Sequence, residues 1–136
     1  MIRFQDSTIR DGMQQQKLLK NFDAKLKVLD LIGKSNVDSI EIGMCTSEED
    51  VFLIKKKCEF IDSNKKIIIL TRMIKDEILL ISQMKNEIKN LVIKLLVPVS
   101  DLHIDKKLGI TRESLCKKIE DCLELTDSLN ISTDVC

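Results

Sequence analysis

With 136 residues, the chain has the size of a single domain and can bury about two-thirds of its unfolded surface. Its 22 basic and 22 acidic residues balance, and it has no tryptophan, no tyrosine and only four phenylalanines. This excludes the positive field and the stacking platform on which nucleic-acid binders rely. Five cysteines without a C-x-x-C pair give no disulfide framework or zinc site, and read as small buried hydrophobes in a reducing compartment. The first residues lack a signal-peptide core, and no apolar run approaches the ~18 residues of a membrane span, so a soluble cytoplasmic protein is expected.

In chain order, Ile2 to Gln5 is expected to be the first strand. A helix capped by Asn21 should follow, with Ala24, Val28, Leu31 and Ile32 inward and Gly33 in its last turn. Val37 to Ile42 reads as a second strand. Ser47 then caps a helix whose first turn holds Glu48, Glu49 and Asp50, where carboxylates suit the helix dipole, and whose apolar face is Val51, Ile54, Cys58 and Ile61. The run Ile67-Ile68-Ile69-Leu70 is too uniformly apolar for a sheet with one face in water and marks a parallel strand covered on both sides. A helix over 74–85 comes next, then a strand from Leu91 to Val97 ended by Pro98. Thr111 opens a further helix with Leu115, Ile119, Cys122 and Leu125 on one face, and Ile131 to Cys136 reads as a fifth strand. The lysines at 55–57 and 117–118 look like solvated helix faces.

Strands alternate with helices and no hairpin signal separates them, so the class is α/β with parallel strands joined by right-handed crossovers. An open doubly wound sheet and the first half of an eightfold barrel both fit that pattern. No repeat or linker divides the chain, and residues 1–136 are expected to be one domain.

The segment Asp6-Ser7-Thr8-Ile9-Arg10-Asp11-Gly12-Met13-Gln14-Gln15 is a dense polar cluster directly after the first strand, where parallel α/β proteins place active-site loops. An adjacent arginine and aspartate can present a guanidinium to an oxyanion and a carboxylate to a divalent metal. A polar turn with an Asp6 cap and an Arg10–Asp11 surface pair is the alternative, and spacing alone leaves both open.

Residues 6–14 resemble the D-[ST]-T-L-R-D-G-x-Q signature of the 2-isopropylmalate, homocitrate and citramalate synthases, whose pyruvate-carboxyltransferase type barrel is shared with 3-hydroxy-3-methylglutaryl-CoA lyase. Ile9 replaces the usual leucine. Ile40-Glu41-Ile42-Gly43 is similar to the I-E-x-G ending of that family's second strand. Val97 to His103 is similar to its S-D-[IL]-H segment, and Lys107-Leu108-Gly109 and the helix start at Thr111-Arg112-Glu113 are similar to the family's residues just beyond that segment. The resemblance covers essentially the whole chain.

The fold implied by the resemblance is a (β/α)₈ TIM barrel, and the implied reaction is a Claisen-type condensation of acetyl-CoA with a 2-oxo acid. Under it, Arg10 would stabilise the oxyanion and Asp11 would bind a divalent metal (Zn, Mg or Mn) that polarises the ketone. Gln14 and Glu41 would line the substrate pocket, and His103 would contact substrate from the fourth strand's loop. Glu41 has a plainer alternative as the partner of a neighbouring base, and His103 as a hydrogen-bonded loop residue. Arg72, just past the third strand, would reach a substrate carboxylate or form a salt bridge. Family members also use an H-x-H metal pair and a catalytic glutamate of E-D-A type, and neither is in this sequence. A barrel needs about 200 residues or more. The chain is therefore expected to be truncated to about four and a half β-α units, as a fragment or as one partner of a second polypeptide or homodimer, and inactive alone. A lyase on the same scaffold and a non-catalytic half-barrel are the alternatives.

Overall fold

The computed structural model describes residues 2–12 and 22–136. The elements are β1 (Gln5–Asp6), α1 (Phe22–Gly33), β2 (Ser39–Met44), α2 (Glu48–Cys58), β3 (Lys66–Thr71) and α3 (Lys75–Ser82). Then come β4 (Leu91–Leu95), a π-helical segment (His103–Leu108), α4 (Arg112–Ser128) and β5 (Ser132–Val135). The five strands lie in the order β1-β2-β3-β4-β5, and every neighbouring pair is parallel. A doubly wound sheet reverses its strand order at a switch point, whereas a barrel adds strands in sequence. The unbroken order therefore resolves the two architectures in favour of the barrel type.

Strand alternation divides the side chains between two faces. Ile40, Ile42, Ile67, Ile69, Leu91, Ile93 and Leu95 join Leu29, Val51, Ile54, Ile78, Ile81, Leu115 and Cys122 of the helices in one core. The alternate residues Glu41, Ile68, Leu70, Val92 and Lys94 occupy the inner, concave face. Ile68, Leu70 and Val92 are buried there too, which explains the uniformly apolar third strand. The Ser47 and Thr111 caps form as expected, accepting from the amides of Asp50 at 3.2 Å and Ser114 at 3.1 Å. The expected cap Asn21 lies outside the described residues.

Several boundaries and orientations differ from expectation. The first strand is Gln5–Asp6 rather than Ile2 to Gln5, and Ile2 and Phe4 are exposed. Phe4 still contributes, since its carbonyl accepts from Asp38 N at 2.8 Å and its amide donates to the Asp38 carboxylate at 2.7 Å. In α1 Val28 and Ile32 pack against the core as expected, but the fully buried residue is Leu29, while Leu31 points to solvent. Two residues along a helix turn the side chain through about 200°, so a stripe centred on Leu29 excludes Leu31. The lysines of α2 are not uniformly solvated, for Lys55 pairs with Glu87 and Lys57 is half-buried, its ammonium lowered from its ordinary pKa by burial.

The cysteines divide as well. Cys45 and Cys122 are buried and Cys58 is half-buried, but Cys116 and Cys136 are exposed, and all five are free. Burial pushes the thiols of Cys45 and Cys58 up to about 12, so both stay protonated and inert. Among the described residues no helix is long and apolar enough to cross a membrane.

Candidate active site

The loop after β1 is wound tightly by its own polar groups. The Asp6 carboxylate accepts from the amide of Thr8 at 2.9 Å and from its hydroxyl at 3.3 Å. The Ser7 carbonyl accepts from the amides of Arg10 at 3.1 Å and Asp11 at 2.7 Å. Ile9 is buried in the core and anchors the described part of the loop through a large apolar side chain. The polar turn drawn from spacing is formed. Asp6 caps a turn and Arg10 pairs with Asp11 at 2.6 Å, yet the Arg10 guanidinium also reaches inward to Glu41.

Glu41 is the centre of the inner-face cluster. Its Oε2 accepts from Arg10 Nε at 2.9 Å and lies 2.8 Å from Nη2, while its Oε1 accepts from Lys94 Nζ at 2.5 Å and Gln5 Nε2 at 2.7 Å. Lys94 donates to Gln5 Oε1 as well, at 3.0 Å. Burial alone would push the Glu41 carboxyl up, but the Lys94 ammonium and the Arg10 guanidinium more than reverse this and hold it below its ordinary value. The register of β2 against β3 shifts between Glu41 and Gly43, and Gly43 has φ 144. A bulge of this kind re-aims a side chain at a strand end, and glycine suits that backbone whatever the available space.

Arg72 follows β3 and forms an ion pair with Glu77 of α3. Glu77 also accepts from the Thr71 hydroxyl at 2.8 Å and from the Arg72 amide at 3.0 Å. Of the two roles foreseen for Arg72, the salt bridge is the one formed. Its side chain keeps 57% of its surface in solvent and lines a cavity of about 380 Å³ with Met73, Val97, Pro98, His103 and Lys107. His103 opens the π-helical segment, which Gly109 ends in a left-handed cap at φ 63. Arg72 and His103 are thus brought together at one cavity, while Arg10, Asp11 and Glu41 form a second group through direct contacts. Gln14 lies outside the described residues.

The HMGL-like family profile matches residues 1–136. The chain belongs to the HMGL-like family. Among curated relatives, a putative (R)-citramalate synthase of Methanopyrus kandleri is 22% identical over 98% of this chain and 26% of its own length. A 2-isopropylmalate synthase of Sulfurisphaera tokodaii is 30% identical over 87% of this chain and 30% of its own length. Among solved structures, an HMG-CoA lyase of Bacillus subtilis superposes with a TM-score of 0.70 at 12% identity, covering 98% of this chain and 45% of that one. The chain therefore spans under a third of those two synthases and under half of the lyase, whose barrel fold it shares.

For an HMGL-like chain the donors for a divalent ion are the next question. Asp11 has one carboxylate oxygen in the ion pair with Arg10 and a side chain 56% exposed. Among the described residues no three His, Cys, Asp or Glu side chains come together so as to hold a metal ion. These residues do not by themselves fit a resident metal. The cluster also contains two residues that sequence reasoning had not singled out, Lys94 and Gln5. The available signal was a lysine inside the apolar run Leu91 to Val97, at the same alternation as Val92 on a strand expected to be covered on both faces.

Proposed function

We propose that residues 1–136 are the first part of one catalytic barrel of the 2-isopropylmalate, homocitrate or citramalate synthase type, which joins acetyl-CoA to a 2-oxo acid. The observation that carries this reading is the signature loop after β1, with Arg10 gripped by Glu41 on the inner face. An arginine has five N–H groups. Nε donates to Glu41 and Nη1 to Asp11, and Nη2 lies 2.8 Å from Glu41 Oε2; among the described residues the other N–H groups are left for a ligand.

In a Claisen condensation the enolate carbon of the thioester attacks the ketone carbon, and the ketone oxygen becomes an alkoxide. A guanidinium already fixed by a buried carboxylate can meet that charge without reorganising, which is where electrostatic catalysis is strongest. His103 and Arg72 line the neighbouring space at the strand ends, whose apolar walls and basic rim suit the side chain and carboxylate of a small 2-oxo acid. Asp11 is the candidate metal ligand from this part of the barrel. The names of the synthase relatives support the reaction class.

The chain supplies five parallel strands of the eight in such a barrel. Incubated alone with acetyl-CoA, a panel of 2-oxo acids and a divalent metal, it is expected to release no CoA above the blank. Co-folded with the second half of a 2-isopropylmalate synthase barrel it is expected to release CoA, and Arg10→Gln should slow that release by about 100-fold or more. Robust release from the chain alone would overturn the half-barrel assignment. A folded complex in which Arg10→Gln matches its parent would remove the chemistry assigned to Arg10.

A further inference from the structure

We propose that Lys94 is a positioning residue, holding the Arg10 guanidinium at the concave mouth by way of Glu41. Lys94 lies in β4, where its side chain is 11% exposed, and Glu41 lies in β2 with a side chain 3% exposed. Together with Gln5 of β1, the lysine saturates Oε1 of Glu41. The carboxylate is thereby fixed in one rotation, and its other oxygen is presented to Nε and Nη2 of Arg10. Lys94 is 53 residues from Glu41 along the chain and Gln5 is 36, so no local turn creates the arrangement.

Arg10 is shared between Glu41 and the exposed Asp11, so Arg10, Lys94, Glu41 and Asp11 together carry two cations and two carboxylates. Lys94 is the more buried of the two cations, with 11% of its side chain exposed against 27% for Arg10, and burying an ammonium costs several kcal/mol before pairing is counted. Its place on Oε1 leaves Oε2 as the oxygen that meets Arg10. With a neutral side chain at position 94, Glu41 would turn both oxygens towards Arg10 and draw the guanidinium back against β2. Two other carboxylates face this group. Asp11 holds Arg10 Nη1, and Asp134, the β5 register partner of Lys94, lies exposed on the same face of the sheet.

The purpose assigned to Arg10 rests on the acyltransferase reading, but its position can be measured without it. In the full chain with ¹⁵N-labelled arginine, the Nε–H signal of Arg10, identified by its loss in Arg10→Lys, reports the bond to Glu41 through its solvent exchange. Slow exchange is expected in the parent and in Lys94→Arg. At least tenfold faster exchange is expected in Lys94→Met, or in Lys94→Gln should the methionine variant not fold, with the amide spectrum showing an intact sheet. Unchanged exchange in a folded neutral variant overturns the proposal, as does fast exchange in the parent or in Lys94→Arg. Loss of the fold in both neutral variants also overturns it, because Lys94 would then be a structural residue. Exchange that behaves as expected beside a failed CoA-release assay in the co-folded complex would sink the acyltransferase reading alone.

Discussion

Glu41 and Glu77 are two buried glutamates that each hold an arginine, and they do so in opposite ways. The partners of Glu77 are Thr71 and Arg72, five or six residues away. Those of Glu41 are Arg10, Gln5 and Lys94, between 31 and 53 residues away. The first carboxylate is therefore a local clamp. It closes the turn from β3 into α3, where buried Met73 adopts φ 60, a backbone state costing about 1–3 kcal/mol for a residue other than glycine. The second can form only after β1, β2 and β4 have come together. A carboxylate satisfied by its neighbours in sequence stabilises a turn, whereas one satisfied across three strands depends on the whole sheet and can orient a group at its mouth.

Acid should perturb the molecule most, because it strikes both sites together. Burial pushes both carboxyls up, yet Lys94 and Arg10 on one, and Arg72 and Thr71 on the other, bring both below the ordinary value. A depressed folded-state pKa means that the unfolded chain binds the proton first. The stabilisation is thus fully present above the unfolded value of about 4.3 and is lost as pH falls through the lower folded values. The urea midpoint is expected to stay level from pH 7 to about 5 and to drop steeply below about 4. Glu41→Gln and Glu77→Gln should each flatten part of that drop. A drop left intact in both variants would place the acid sensitivity elsewhere.

Substitution separates the two sites. Glu41→Leu strands Lys94, with its 11% exposure, and half of the Arg10 contacts in the interior, which is expected to cost about 3–5 kcal/mol. Glu77→Leu lets the Arg72 side chain, already 57% exposed, turn into water. The loss there is the acceptor for the Thr71 hydroxyl and the Arg72 amide, about 1–3 kcal/mol. Equal losses in urea denaturation at pH 7 would break the distinction between clamp and cluster.

How much of this was legible in the sequence depends on the same division. Ser47 and Thr111 were readable as caps because a cap and the amide it accepts lie three residues apart. The parallel class was readable from the run at 67–70, and the Arg10–Asp11 group from its place after β1. The Glu41 cluster was legible only as residues of interest, since nothing local links Glu41 to Lys94. Arg72 illustrates the intermediate case, where a salt bridge was foreseen without its partner, although Glu77 lies only five residues later. In α1 the inward Val28 and Ile32 were legible, but Leu29 was not distinguishable from Leu31, because the two are equally apolar and the sheet beneath selects one of them.

The smallest change tests whether the two glutamates are independent. Thr71 is fully buried, and its hydroxyl donates to Glu77 Oε2 at 2.8 Å. Valine keeps the β-branched shape that suits a strand interior and removes only this donor. Glu77 retains its bonds from the Arg72 amide and guanidinium, so the carboxylate remains charged and paired. The expected loss for Thr71→Val is about 1 kcal/mol, seen as a fall of roughly 3–5 °C in Tm. The Arg10 Nε–H exchange should stay at its parent rate, and the effect should add to that of Glu41→Gln within about 0.5 kcal/mol. Faster Arg10 exchange in Thr71→Val would show that the turn after β3 and the cluster at the mouth share one conformational equilibrium. Glu77 would then be part of the apparatus that orients Arg10, and its description as a local clamp would fail.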